Sequence, residues 1–351
     1  LAAPATIPPA ATALAALRAA GAGGPHVVIA TGGSSRQPAW IVHNAHTLGA
    51  AVAAYCACFA ASETHACVLL LPTCHVGGLL AALRAACRGG NMVWADWHNW
   101  KSTPPAAAAL AGYTLSLVPA QLAMLLEQPA HVAALRRARR ILIGGAALPA
   151  ALATAARAAG LPLAPCYGMT ETAALVTLTR ADDFLAGDAS CGRPIPGVGI
   201  TIAPGEGRIS VSGPQVALGR LGTTGLVAFP ASAAGRTCAT ADHGQWLPDG
   251  RLQVHGRLDR TVISGGRKID ADMVERRILA HPQVCEAAVA GIPDPAWGER
   301  LCAWYAGTAT DAELAAWCHA GLAAHEVPRT LQRLPSLPRT PAGKIDWPAL
   351  I

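Results

Sequence analysis

The sequence predicts an α/β protein, in which a large first domain of layered sheets and helices carries a small β-rich subdomain and precedes a small α+β unit. Three observations predict it. From His26 onward, apolar runs alternate with glycine-rich turns and alanine-rich stretches, the rhythm of strands joined through crossover helices. After about Gly187 the texture becomes short strands punctuated by glycine and proline. After Gly256 it changes again, to a unit of about 90 residues, large enough to fold alone. The 351 residues exceed a usual single core, so two domains are expected.

Taken in order, the Ala/Pro-rich opening lacks the charged front and long apolar middle of an export signal and reads as a lead-in to a helix near residues 11–20. Residues 27–30, 68–71, 92–95, 115–118 and 140–143 read as short buried strands, and 48–60, 78–88, 120–127 and 149–159 as the helices between them. A further strand is expected at 161–164. Residues 199–203, 207–211 and 226–229 supply the β-rich part, with a tight turn at 247–250. The last unit reads as helix 271–280, strands 284–291 and 300–306, helix 311–323 and a polar tail.

Hydrophobic residues make up 52% and charged residues 14% of the chain, enough apolar material for a core and far from a disordered composition. The uncharged stretch 47–61 is shorter than the roughly 20 residues that cross a bilayer, so it reads as a buried helix and no membrane span is expected. A formal charge of +6 without interleaved aromatics and cations suits anionic small molecules and not a nucleic-acid track. The 11 cysteines are scattered and never spaced C-x-x-C, as expected of reduced thiols in the cytoplasm. His43 and His46 alone do not make a metal site.

Four clusters carry chemical potential. The segment VIATGGSSRQPAWIVH at 28–43 places Thr31, Ser34 and Ser35 in a glycine-rich turn after a strand, where backbone N–H groups and hydroxyls can surround a phosphate, although such turns are often only turns. YGMTET at 167–172 joins Tyr167, Gly168, Thr170 and Glu171: an aromatic to stack a base, a hydroxyl for a phosphate and a carboxylate for Mg²⁺, or a plain loop. Asp242 and Arg257 flank a turn as a ribose-binding carboxylate with its cation, or as a surface ion pair. Lys344, in RTPAGKID at 339–346, sits in a loop that can carry an ammonium into a cleft, or is a solvated tail lysine.

The order and approximate spacing of these clusters resemble the acyl- and aryl-CoA synthetase superfamily of adenylate-forming enzymes. The resemblance runs over nearly the whole chain and rests on YGMTET, on TADHG at 240–244, on GRLDRTVISGGRKID at 256–270 and on PRTPAGKID at 338–346. It implies an AMP-binding domain at 1–258, shortened relative to the family, and a small mobile domain at 259–351 hinged at Asp259. It further implies that Thr170 contacts phosphate, Glu171 holds Mg²⁺ and Tyr167 and Gly168 lie on the adenine side. Gly144, Gly145 and Ala146 would form the adenine wall, Asp242 and Arg257 would bind ribose, and Lys344 would span ribose and the reacting phosphate.

Within the superfamily the chain is most similar to the o-succinylbenzoate-CoA ligases of menaquinone and phylloquinone synthesis, through PTCHVGGLL at 72–80, LSLVPAQLAMLL at 115–126 and ILIGGAALP at 141–149. The implied substrates are ATP, a small carboxylic acid and coenzyme A, with room for a homo-oligomer. His75 would line the acid pocket and move with thiol entry, or is a satisfied core histidine, and Gly265 and Gly266 would face the site once the small domain turns. Gln121 would face the acyl pocket or start its helix. The chain departs from the family at Arg36 and Ala39, where a glycine and a lysine are usual, and at His243, where an apolar residue is usual. Another acyl- or aryl-CoA ligase, or a degenerate nucleotide-binding homologue, are the competing readings.

Joining a carboxylate to the α-phosphate brings two anions together and builds charge on the leaving pyrophosphate, so Lys344 and a Glu171-bound Mg²⁺ would have to offset both. The mixed anhydride hydrolyses readily, which makes a water-poor interdomain cleft useful.

Overall fold

The computed structural model describes residues 24–31, 39–60, 62–63, 65–222, 225–339 and 345–351. The helix expected near residues 11–20 lies outside them. The described chain opens with an antiparallel hairpin, β1 (His26–Ala30) and β2 (Trp40–Asn44), followed by helix α1 (Ala45–Cys56). Asn44 starts that helix: its side chain accepts the Thr47 N–H at 3.0 Å while Thr47 Oγ1 accepts the Asn44 N–H at 3.1 Å.

An alternation of strand and helix follows: β3 (Cys67–Leu69), α2 (Val76–Cys87), β4 (Met92–Trp94), β5 (Thr114–Leu117), α3 (Pro119–Leu126), β6 (Arg140–Ile143), α4 (Ala150–Ala158) and β7 (Leu163–Met169). β8 (Ala174–Leu178) and β9 (Arg193–Pro194) complete a seven-stranded sheet in the order β4-β3-β5-β6-β7-β8-β9. Its first five strands run parallel and the last two antiparallel. Because side chains alternate along a strand, Ile141 and Ile143 pack with Leu122, Leu125 and Ala156 of α3 and α4 on one face. Leu142 packs with Val52, Tyr55 and Leu80 of α1 and α2 on the other. The parallel part is thus a three-layer sandwich, as its apolar runs predict.

Next come β10 (Gly199–Ile202), β11 (Arg208–Gly213), β12 (Gly219–Gly222), β13 (Gly225–Ala228), β14 (Ala231–Ser232), β15 (Gly235–Trp246) and β16 (Leu252–Arg257). They divide between two antiparallel sheets. β10, β11, β15, β14 and β16 form one of five strands, while β12 and β13 join β1 and β2 in another of four. The last unit has β17 (Thr261–Ser264), β18 (Arg267–Asp270), helix α5 (Ala271–Leu279), β19 (Val284–Asp294), β20 (Gly298–Gly307), α6 (Asp311–Gly321), β21 (Thr330–Arg333) and the short α7 (Trp347–Leu350). Val274, Ile278, Leu314 and Cys318 of α5 and α6 cover one face of its five-stranded sheet.

Four expectations are corrected. Residues 27–30 are not a buried strand of the parallel sheet: they form an edge of the four-stranded antiparallel sheet, with Val27 and Val28 each 38% exposed. Residues 92–95 are not buried either, since β4 ends the large sheet and leaves Met92, Val93 and Trp94 at 41%, 44% and 68% exposure. Residues 226–229 pair back to the N-terminal hairpin through β12 and not within the five-stranded sheet. The polar tail contains β21, which runs parallel to β20, and a helix whose Trp347 and Leu350 pack on that sheet.

Candidate active site

In the large sheet the chain passes from β3 outward to β4 and then returns to β5 on the other side of β3, so the strand order reverses there. Crevices outside the carboxyl ends of parallel strands at such a switch point are where ligands bind in α/β sheets. Three of the residue groups singled out in the sequence leave this edge. His75 follows β3 and starts α2 with extended backbone, its side chain making no cap bond to the helix. Gly144, Gly145 and Ala146 follow β6; Gly145 has φ +80, and a Cβ on Gly144 would press on Cys166 Sγ at 3.0 Å. Burial pushes that thiol up to about 12, so it is not a thiolate nucleophile. Thr170 and Glu171 follow β7. Gln121 is spent on structure: its Oε1 accepts the Val118 N–H at 3.1 Å and caps α3.

β7 runs beyond the parallel sheet, and its outer half pairs with β8 instead of β6. This carries Tyr167 across to the five-stranded sheet. Its hydroxyl donates to Asp242 Oδ2 at 2.6 Å, across 75 residues of sequence. Asp242 on β15 stands in register with Arg257 on β16, whose Nη1 donates to Oδ1 at 3.3 Å. The guanidinium also grips Asp259 bidentately, Nε to Oδ1 at 2.8 Å and Nη2 to Oδ2 at 2.6 Å. Burial raises the Asp242 pKa, against the opposing pull of the Tyr167 hydroxyl and Arg257. Burial and then the Asp242 charge push the Tyr167 phenol up, which keeps it a donor. Asp259 lies in the short turn Leu258–Arg260 that joins this sheet to the last one, and Asp272 of α5 accepts the Arg257 backbone N–H at 2.8 Å.

Thr170 and Glu171 occupy a single 3-10 turn, Thr170–Thr172. Gly168 must precede it, because a Cβ there would sit 2.0 Å from the Ala174 carbonyl oxygen. Ala173 and Ala174 follow it with φ of 51° and 73°, a left-handed backbone that L-residues enter at a cost. Glu171 is 9% exposed and its Oε1 pairs with Arg220 Nη2 at 2.9 Å. Fully buried His43 on β2 sets its Nε2 2.7 Å from the Thr170 carbonyl oxygen. A carbonyl only accepts, so Nε2 carries the proton.

Thr31 closes a loop with Ala39 by two hydrogen bonds, N–H to carbonyl at 2.7 Å and Ala39 N–H to Thr31 Oγ1 at 3.0 Å. Ser34, Ser35 and Arg36 within that loop lie outside the described residues, as does Lys344. The backbone on either side of Lys344 is joined through an antiparallel bridge, Arg339 to Ile345. Gly265 and Gly266, with φ of 57° and 74°, make the two-residue turn between β17 and β18 that a right-twisted hairpin favours. His243, the second departure, lies 3.6 Å from Asp270.

Sequence reasoning missed His43 and Arg220 as residues of this region. The signal for His43 was a histidine at the buried parity of Ile41 in β2. Arg220 left no such signal. Arg84 of α2 is also a buried charge, 5% exposed and over the Tyr55 ring at 4.2 Å, but the narrow cavity it shares with His65, Cys67, Thr114 and Ser116 lies at the amino ends of β3 and β5, the opposite edge of the large sheet.

The family model described as AMP-binding enzyme matches residues 10–221, and the one described as AMP-binding enzyme C-terminal domain matches residues 273–344. A 2-succinylbenzoate–CoA ligase of Bacillus mycoides (strain KBAB4) is 30% identical over 285 residues, covering 78% of this chain and 59% of the relative. The chain therefore spans about three-fifths of the length of the curated relatives it matches. Among solved structures, the o-succinylbenzoate coenzyme A synthetase of Bacillus subtilis in complex with ATP and magnesium ion is similar with a TM-score of 0.73 at 25% identity, covering 91% of this chain and 68% of that one. The same synthetase in complex with the acyl-adenylate intermediate OSB-AMP gives a TM-score of 0.72 at 25% identity, with 91% and 67% covered.

Proposed function

Since the chain belongs to the AMP-binding enzyme family, we propose that it activates a carboxylic acid with ATP and passes the acyl group from AMP to the thiol of coenzyme A, and that the acid is o-succinylbenzoate. The observation that carries this reading is the hydrogen-bonded set of Tyr167, Asp242 and Arg257, drawn from two sheets to the edge where Thr170 and Glu171 emerge. Asp242 presents a buried carboxylate to ribose hydroxyls, with Arg257 holding it charged. Tyr167 and Gly168 with Gly144, Gly145 and Ala146 bound the adenine, Thr170 and the turn at Thr31, Ser34 and Ser35 take the phosphates, and Lys344 spans ribose and the reacting phosphate.

Magnesium favours one or two carboxylates completed by substrate phosphates. Glu171 fits as a buried carboxylate beside the Thr170 hydroxyl, and Arg220, which now neutralises it, is the side chain that must yield or share. Bound there, Mg²⁺ would offset charge on the pyrophosphate leaving group. The carboxylate attacks the α-phosphate, the bond to pyrophosphate breaks, and the acyl-adenylate is then opened by the coenzyme A thiol. His75, at the start of α2, would line the acid pocket and serve thiol entry. Rotation at Asp259 of a 259–351 domain against the 1–258 domain would withdraw Lys344 and bring Gly265 and Gly266 to the site. The grip of Asp259 on Arg257 ties that hinge to the ribose position.

ATP and coenzyme A are cytoplasmic co-substrates, which places the reaction there; no helix among the described residues is long and apolar enough to cross a membrane.

The test offers acids singly with ATP, Mg²⁺ and coenzyme A and follows AMP and free thiol. AMP release and thiol loss with o-succinylbenzoate, and not with benzoate or octanoate, support the reading. Turnover of benzoate or octanoate instead moves the chain to another acyl-CoA ligase. ATP binding without turnover of any acid makes it a degenerate homologue.

A further inference from the structure

We infer that His43 is a positioning residue for the Thr170–Glu171 turn, acting on the proposed phosphate and Mg²⁺ ligands through the Thr170 carbonyl; only this last functional step rests on the reading above. The turn is short and ends in two left-handed alanines, and inside it the Thr172 hydroxyl accepts the Met169 N–H at 3.1 Å while the Ala173 N–H donates to the Thr170 carbonyl at 3.2 Å. It is also held from outside, and largely by one sheet. β2 and β12 pair side by side, and the Leu218 N–H donates to the Val42 carbonyl at 2.8 Å. From this platform the Ala217 N–H donates to the Glu171 carbonyl at 2.9 Å and Arg220 pairs with the Glu171 carboxylate. His43 supplies the third hold, on the carbonyl of Thr170.

The imidazole is itself fixed on its other side. Nδ1 lies 3.0 Å from Thr47 Oγ1, the hydroxyl that closes the cap of α1. With Nε2 bearing the proton, Nδ1 accepts from that hydroxyl. Burial keeps the ring neutral, although the Thr170 bond and the Glu171 charge both favour its charged form. His43 therefore links the start of α1 to the turn, and it does so from the strand that leaves the Thr31–Ala39 loop. The two segments assigned to phosphate are joined beneath the site by one hydrogen bond. The imidazole supplies direction, which an apolar ring of the same size cannot.

Two variants separate direction from packing. His43→Phe keeps the ring and removes the donor, whereas His43→Gln places an amide N–H where Nε2 stands. The first measurement is hydrogen exchange over residues 168–175 in nucleotide-free protein. His43→Phe should speed exchange there by about tenfold, the size of one lost hydrogen bond, with the five-stranded sheet unchanged and His43→Gln restored to within about threefold. The second is the Mg²⁺ concentration for half-maximal ATP binding by equilibrium dialysis. It should rise about tenfold in His43→Phe and recover in His43→Gln, while metal-free adenosine binding, which involves no phosphate, stays the same in all three proteins. Unchanged exchange in His43→Phe overturns the inference. So does faster exchange with an unaltered Mg²⁺ requirement, or a loss of protection throughout the molecule that glutamine does not repair. A wild-type protein that fails to bind ATP with Mg²⁺ defeats the proposed function instead, and the exchange measurement then decides alone whether His43 holds the turn.

Discussion

Asp242 shows at the scale of one residue how the proposed ribose contact would trade stability for chemistry. Burial raises its pKa, and a carboxylate held above its unfolded value costs folding free energy at neutral pH, where it must ionise in a poor solvent. Asp242→Asn keeps the shape and removes that cost, so its Tm should equal or exceed that of the wild type while affinity for AMP falls about tenfold or more, as expected for loss of charge-assisted hydrogen bonds to ribose. A lowered Tm with unchanged AMP affinity would make Asp242 structural. The buried histidines give a second prediction. In His43, His65 and His255 burial holds the folded pKa below the value of about 6.5 in the unfolded chain. Below that pH the unfolded chain takes up protons that the folded chain refuses, so acid favours unfolding. Stability should be flat from pH 8 to 7 in this respect and fall from about 6.5 downward; thermal melts at pH 7.5, 6.5 and 5.5 test it, and a protein more stable at 5.5 contradicts it.

Among the elements, β7 does most to build the site, since one strand belongs to the parallel sheet at Leu163 and to an antiparallel pair at Tyr167. Gly168 permits the crossing. In Gly168→Ala the methyl would meet backbone 2.0 Å away, in a strand that cannot shift alone. The variant should lose about 3 kcal/mol or more, as backbone clashes in packed regions do, against about 1 kcal/mol for Gly266→Ala in the exposed β17–β18 turn, where a Cβ meets nothing within 4 Å. Urea titrations order the two, and equal small losses would show that β7 relaxes freely. The strands also show what local pattern conveys. Periodicity located β3, β5 and β6 within a residue or two, because strands buried on both faces leave continuous apolar runs. The same signal in residues 27–30 and 92–95 led to buried strands, yet both lie at sheet edges. Apolar composition reports a strand and not what covers it.

At the scale of the whole molecule, the division into an α/β part, a β-rich part and a last α+β unit was legible, because each texture follows from its own periodicity. The pairing of β12 and β13 with the first hairpin was not, since long-range strand partners leave no local mark. The candidate site divides the same way. Tyr167, Asp242 and Arg257 were visible by residue type and spacing, and the structure brings them into one hydrogen-bonded set. Arg220 and His43 act from a sheet whose partners could not be read, so their roles at Glu171 and Thr170 appear only in three dimensions. The central claim is that this edge makes an acyl-adenylate before any thiol arrives. Isotope exchange between labelled pyrophosphate and ATP, in the absence of coenzyme A, tests it most directly. Exchange that requires both Mg²⁺ and o-succinylbenzoate and is lost in Asp242→Asn is the predicted result; no exchange with any acid, from protein that binds ATP and Mg²⁺, would contradict it.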